Sequence, residues 1–308
     1  MTRLTESARG VFVIAATPFT ADGALDLASI DRLVDFYLGH RVHGLTLLGL
    51  MGEAQKLTAD ESVRVVRRVL GRVGDRVPVV VGVSNPGLAP LAVLAAEAMN
   101  AGAAGVMVAP AAGLRGDEAL FSYMASVFRV LDPATPVVYQ DYPQSTGVYL
   151  PVPLFHRMVE AFPRLVVLKH EDAPGLAKLT QIREEARRDG RRRVSVLVGN
   201  GALYLPQELA RGADGAMTGF AYPEMLVEVY ERFTGGDVDA AEDVFDAYLP
   251  LLRMEHQPGI GLAVRKALLQ RRGAIASSTV RAPGPSLTSE DQREIERLIS
   301  RLERRLKG

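Results

Sequence analysis

The stretch Asn100-Ala101-Gly102-Ala103-Ala104-Gly105-Val106-Met107-Val108-Ala109-Pro110 decides the fold. An amphipathic run ends at a glycine, and after two alanines a short apolar run begins, closed by a proline. Glycine at a helix C-terminus supplies the left-handed conformation, and the small residues after it let the helix lie close to a sheet. The same join recurs at 210–219 (ARGADGAMTG), and 40–49 (HRVHGLTLLG) resembles it. Eight apolar runs follow this rhythm: 11–16, 44–49, 78–82, 105–109, 136–140, 165–169, 194–199 and 215–218. They are rich in Val and Leu and lack strict alternation, as parallel strands buried on both faces do. Stretches of helical length lie between them, among them 27–38, 59–70, 88–100 and 117–130. No GxGxxG follows the first run and no P-loop occurs. The pattern predicts an α/β protein, a (β/α)8 TIM barrel over residues 1–222.

After Thr218 the sequence turns helical only, with helices predicted at 225–233, 240–252, 260–271 and 289–306. The last opens Ser289-Glu290-Asp291-Gln292, which predicts a capping box with Ser289 as N-cap and Gln292 as its partner. Residues 223–308 are therefore expected to form a C-terminal helical region packed on the barrel.

Composition excludes several classes of function. Lys+Arg and Asp+Glu number 36 each, so the formal net charge is zero and no electrostatic footprint for nucleic acid or an anionic membrane exists. The chain has no cysteine, which removes disulfides and thiolate chemistry. Its five histidines, His40, His43, His156, His170 and His256, show no metal-ligand spacing, so neither a metal site nor a cofactor is expected. The start lacks a signal-peptide layout, and no run approaches the ~18 apolar residues of a membrane span. A cytoplasmic location is the expectation.

Lys169 ends the apolar run of RLVVLKHED, residues 164–172. A lysine leaving an apolar strand loses hydration of its charged form, which favours the neutral amine that a Schiff-base nucleophile needs. Alone, it would read as a snorkelling lysine with its head in water. Its company at the strand ends, where barrel active sites lie, changes that reading. Thr17, Leu50-Met51-Gly52, Gln140 through Pro143, Asn200 and Thr218 all fall there.

With these residues in order, the chain resembles the dihydrodipicolinate synthase / N-acetylneuraminate lyase family of Schiff-base lyases over nearly all its length. The markers are ATPFTADGALD (16–26), the GxxGE turn at 49–53, Pro143 through Thr146-Gly147, Lys169, and GADGAMTG (212–219). The resemblance implies that Lys169 forms an imine with pyruvate or a related 2-keto acid. It also implies that main-chain N–H groups of the turn, at Leu50 and Met51, receive the substrate carboxylate. Glu53 reads as a helix-start charge favoured by the dipole. A homo-oligomer, a tetramer built from dimers, is a further implication.

The departures matter equally. The family carries hydroxyls in its turn, where this chain has Leu50 and Met51. Its catalytic tyrosine stands three residues before the proline, a place held here by Gln140; a one-residue shift would bring in Tyr139, which the spacing from Pro136 to Pro143 opposes. The arginine position is Ser145, and the tyrosine pair after strand four is Ala111-Ala112. Glutamine hydrogen-bonds but does not shuttle a proton as tyrosine can. Tyr142 could swing its hydroxyl inward, His170 should point away from Lys169, and Glu171 should return to the Lys169 face if the strand continues. A pocket enlarged by Leu50, Met51 and Phe220 is expected. The leading reading is a Schiff-base lyase or aldolase acting on a small 2-keto acid, and not a true dihydrodipicolinate synthase. A 2-keto sugar acid dehydratase or deaminase using the same imine, and a keto-acid-binding protein with little turnover, are the alternatives.

Overall fold

The computed structural model describes residues 2–307; Met1 and Gly308, at the outer limits of the two expected regions, lie outside it. Among the described residues eight parallel strands close into a barrel in chain order, β8 pairing back onto β1. They are β1 (Gly10–Ile14), β2 (Gly44–Leu47), β3 (Val79–Gly82), β4 (Gly105–Val108), β5 (Val137–Asp141), β6 (Leu165–His170), β7 (Ser195–Val198) and β8 (Gly215–Thr218). Around and beyond them run α1 (Leu27–Gly39), α2 (Ala59–Val73), α3 (Leu88–Asn100), α4 (Asp117–Val130), the single turn α5 (Pro143–Thr146), α6 (Val152–Ala161), α7 (Leu176–Arg188), α8 (Leu205–Ala210), α9 (Pro223–Thr234), α10 (Val238–Glu255), α11 (Gly261–Arg271) and α12 (Ser289–Arg305). The predicted TIM barrel with added C-terminal helices is the architecture found.

Two apolar layers follow from the period of the strands. Phe12, Ile14, Val80, Met107, Val138, Val167, Leu197 and Met217 fill the barrel interior. Leu4 joins them, its N–H bonded to the Ala104 carbonyl at 2.9 Å, and closes the end where the strands begin. Gly44 is required by this filling, because a Cβ there would lie 2.3 Å from the Phe12 ring. The alternate residues, Val11, Val13, Val81, Val108, Tyr139 and Leu168 among them, pack outward against the helices.

One irregularity places the functional strand. Between β5 and β6 the register runs Val137↔Leu165 and then Val138↔Val167, so Val166 is an extra residue in β6. In such a bulge two residues oppose one, and side-chain alternation resets across it. Strict alternation from the outward Leu165 would turn Lys169 outward. With the bulge, Lys169 pairs with the inward Gln140 and shares its face.

The helix after β8, α9, packs on β1 and α8, while α10 packs on α9, α8 and α12. The cap of α12 differs from expectation by one residue. Thr288, not Ser289, is the N-cap; its hydroxyl accepts the Asp291 N–H and the Asp291 carboxylate accepts the Thr288 N–H, so Gln292 is free of that role. Two adjacent hydroxyl residues could both cap, and the charged acceptor three places after the first decides between them. Among the described residues no helix is long and apolar enough to cross a membrane.

Candidate active site

Lys169 stands inside the barrel at the carboxyl end of β6, 4 % exposed, in register with Gln140 on β5 and Leu197 on β7. Its Nζ lies 3.1 Å from Glu171 Oε2. The same carboxylate oxygen accepts a hydrogen bond from Gln140 Nε2 at 2.7 Å. One carboxylate thus joins the two side chains that stand side by side on neighbouring strands at the barrel mouth.

Glu171 reaches that position because pairing continues one residue beyond β6. Its N–H donates to the Asp141 carbonyl at 2.9 Å, and its own carbonyl accepts from Asn200 Nδ2 at 2.9 Å. Gly199 leaves the space its side chain occupies, since a Cβ there would sit 2.2 Å from Glu171 Cγ. Tyr142, half-buried on the loop after β5, has its hydroxyl pushed toward a higher pKa by burial and then by the Glu171 charge. That second influence places the ring in the field of the same carboxylate.

The GxxGE turn forms a short 3₁₀ turn, Leu50–Gly52, at the end of β2. Gly52 is consumed by the turn itself: its N–H donates to the Gly49 carbonyl at 2.9 Å and its carbonyl accepts from Thr17 Oγ1 at 2.6 Å. Gly52 and Thr17 therefore hold the turn in place. The amides of Leu50 and Met51 head the turn and are not used by it. Leu50 is 44 % exposed, and Met51 rests on the interior layer.

Three other expectations, for Tyr139, Thr218 and Phe220, are corrected, while Asn200 stays beside the site. Tyr139 packs on the helix side of β5, its hydroxyl buried without a partner and its pKa raised far above the ordinary value by burial and then by Asp141. Strand alternation puts it on the opposite face from Gln140, so it is not a candidate acid or base. Thr218 shares a register position with the outward Val13, which takes it off the barrel lining. Asn200 braces the Glu171 backbone. Phe220 is buried against Tyr222 and Tyr248, with ring centroids 5.5 and 6.4 Å away, and does not line the pocket.

His170 points outward, its Nε2 3.0 Å from the Gly175 carbonyl and its Nδ1 3.5 Å from Asp141 Oδ2. Lys178 bridges Asp141 and Asp172 at 2.6 and 3.0 Å on that outer side.

Glu53 overturns its reading as a helix-start charge. It is fully buried, with a left-handed φ of 55°, and its carboxylate binds Lys266 of α11, Lys56 at 2.9 Å and the Arg281 N–H at 3.0 Å. Phe19 completes the cluster, with Lys266 Nζ 4.5 Å and Arg281 Cζ 4.3 Å from its ring centroid. The turn beside the barrel mouth is thereby anchored to the C-terminal helices. A second buried network does the same for the end of β8: Arg265 donates to Glu255 and to the Gly219 carbonyl, and Glu255 accepts the Ala221 N–H at 2.9 Å.

A cavity of about 650 Å³ opens at the mouth between β2, β3, β4 and β5 and the helices α2 and α3. Gln140, Tyr142, Leu50 and Ser145 stand on its wall together with Ala59, Pro90 and Val93, and its lining includes no charged side chain. A larger groove, about 970 Å³, runs between α11 and α12 outside the barrel mouth, away from the lysine. Among the described residues no cluster of His, Asp and Glu is arranged to hold a metal.

Comparison with known proteins agrees with this fold. The chain is 34% identical over 299 residues, covering 96% of itself and 94% of its relative, to L-2-keto-3-deoxyarabonate dehydratase of Azospirillum brasilense. It is 33% identical over 303 residues, 96% of each, to 4-hydroxy-tetrahydrodipicolinate synthase of Sorangium cellulosum. Among solved structures, a dihydrodipicolinate synthase from Rhodopseudomonas palustris superposes with a TM-score of 0.95 at 46% identity, covering 98% of this chain and 100% of that one. The profile of the dihydrodipicolinate synthetase family matches residues 7–302, and the chain belongs to that family.

Proposed function

We propose that the protein is a Schiff-base lyase that binds a 2-keto acid as an imine on Lys169, and that it dehydrates a 2-keto-3-deoxy sugar acid. The observation that carries this reading is the buried Lys169 Nζ, 3.1 Å from a carboxylate that Gln140 also holds, with no tyrosine at position 140. The Leu50 and Met51 amides would receive the substrate carboxylate, as oriented backbone donors receive anionic oxygens elsewhere. An imine withdraws electrons from C3, so a C3 proton and a C4 hydroxyl can leave together as water. Such an elimination needs no second substrate. That suits a site where Ser145 replaces the family's arginine and no charged group lines the adjoining cavity. The Azospirillum relative is a dehydratase of this substrate type.

A carbon–carbon lyase or aldolase is the second reading, favoured by the synthase from Rhodopseudomonas and by a cavity large enough for an aldehyde partner. The test is borohydride trapping over a panel of 2-keto acids with intact mass and peptide mapping, followed by product analysis with 2-keto-3-deoxy pentonates and hexonates. An adduct on Lys169, lost in Lys169→Ala, and a product lighter by one water are expected. No adduct with any member of the panel would end the proposal, and cleavage to pyruvate would transfer it to the second reading.

A further inference from the structure

We propose that Glu171 is the catalytic acid and base of this site, occupying the chemical role that the family gives to a tyrosine. The inference rests on the Lys169 imine and names the group that moves protons around it. Three observations carry it. Glu171 Oε2 is 3.1 Å from the reacting nitrogen. Gln140, at the position of the missing tyrosine, donates to that oxygen at 2.7 Å, so the residue that cannot shuttle a proton aims one that can. The glutamate is also built in: its backbone is tied to Asp141 and Asn200, and the bare Cα of Gly199 makes room for its carboxylate. A general base must lie within hydrogen-bond reach of its proton, and C3 of an imine on Lys169 is two bonds from Nζ.

The steps balance without an oxidant or a further reactant. Glu171 takes a proton from the Lys169 ammonium, the freed Nζ adds to the C2 carbonyl, and Glu171 returns that proton to the oxygen; Glu171 then carries a second proton from the nitrogen to the same oxygen, so that water leaves and an iminium remains. Glu171 then removes a proton from C3, the C–H electron pair forming the C2–C3 double bond of an enamine. The enamine expels the C4 hydroxyl, which takes the proton from Glu171 and departs as a second water. Water then adds to C2 of the conjugated iminium, releasing the unsaturated 2-keto acid and regenerating the Lys169 ammonium beside the Glu171 carboxylate. Overall one water is lost from the substrate.

The test uses pyruvate as the probe, because exchange of its C3 hydrogens in D₂O reports enamine formation without the physiological substrate. Wild-type protein, Glu171→Gln and Glu171→Ala are compared by proton NMR, and each is trapped with borohydride. Glu171→Gln is expected to give the same Lys169 adduct but to exchange at least 100-fold more slowly, within the ~10²–10⁴ typical of positioned acid–base catalysis. Formate or acetate should restore part of the exchange in Glu171→Ala, a rescue that a merely structural residue would not show. Exchange within tenfold of wild type in a Glu171→Gln protein that still traps would overturn the proposal and leave the imine reading standing. Should Glu171→Gln fail to trap, the Glu171→Ala rescue decides, and its absence counts against the proposal. Wild-type protein that traps no 2-keto acid would overturn both.

Discussion

Replacing Lys266 by methionine would remove the main partner of a carboxylate that has no access to water. Glu53 and Lys266 are each 0 % exposed along their side chains, and the ammonium also donates to the Thr279 carbonyl at 2.8 Å. Methionine matches the length of the lysine stem, so packing is nearly conserved and the change is mainly electrostatic. Breaking one side of a buried pair typically costs about 3–5 kcal/mol. Glu53 retains Lys56 at 2.9 Å and the Arg281 N–H at 3.0 Å, which places the expected loss at the lower end, about 3 kcal/mol. At about 2 °C per kcal/mol for a large domain, Tm should fall by about 6 °C. The assay is a double-mutant cycle of Lys266→Met and Glu53→Gln by urea and thermal unfolding. The double variant should be less destabilised than the sum of the singles by at least ~1 kcal/mol, because neutralising the glutamate removes the stranded charge. Binding should weaken too: the turn bearing the Leu50 and Met51 amides loses its anchor, and KM for the 2-keto acid should rise more than kcat falls. Strict additivity, or a Lys266→Met protein within 1 kcal/mol of wild type, would refute the electrostatic account.

Glu208 of α8 is buried with one carboxylate oxygen unpartnered, and burial raises its pKa to about 7 against the nearby His170. The folded state keeps that proton to about pH 7 while the unfolded chain releases it near the ordinary value of 4.5, so stability falls as pH rises through that window. Glu208→Gln should gain up to roughly 3 kcal/mol at pH 8 and nothing at pH 4, measured by urea unfolding; an equal effect at both would contradict the assignment. A coupled assay with pyruvate and aspartate semialdehyde should stay below about 1 s⁻¹, the low end of ordinary turnover, since Gln140, Ala112 and Leu50 replace the family's relay. Calorimetry should detect no lysine binding at sub-millimolar concentration, because Ala59, Ser62 and Pro90 offer the cavity no charge. In an oligomer, no neighbouring aromatic hydroxyl should come within hydrogen-bond reach of Gln140; an oligomer structure would show it.

The barrel was legible because its signals are local. Each glycine-to-strand join spans about ten residues, and the strands carry their own apolar runs. Lys169 was legible for the same reason, and counting upward from it puts His170 out and Glu171 in. Counting from Leu165 gives the opposite answer, since no residue type announces the bulge at Val166. Side chains at strand ends were legible only as candidates: Tyr139, Thr218 and Phe220 sit beside the site in sequence but face the helices. Glu53 was misread because its partner lies 213 residues away, and pairing at that distance leaves no periodicity to detect. The helix-start motif at 288–292 shows the finer limit, where two adjacent hydroxyls both satisfy the pattern and only geometry chooses.

The bulge at Val166 divides β6 into two frames. Below it, Leu165 keeps the phase demanded by the helices; above it, Lys169 keeps the phase demanded by the mouth. Deleting Val166 would merely regularise the ladder, since Val167 already pairs with Val138 and the lysine would stay level with Gln140. Deleting Leu168 would instead bring the lysine opposite Tyr139, among the helices. The strand carries one residue of slack beneath its nucleophile and none beside it.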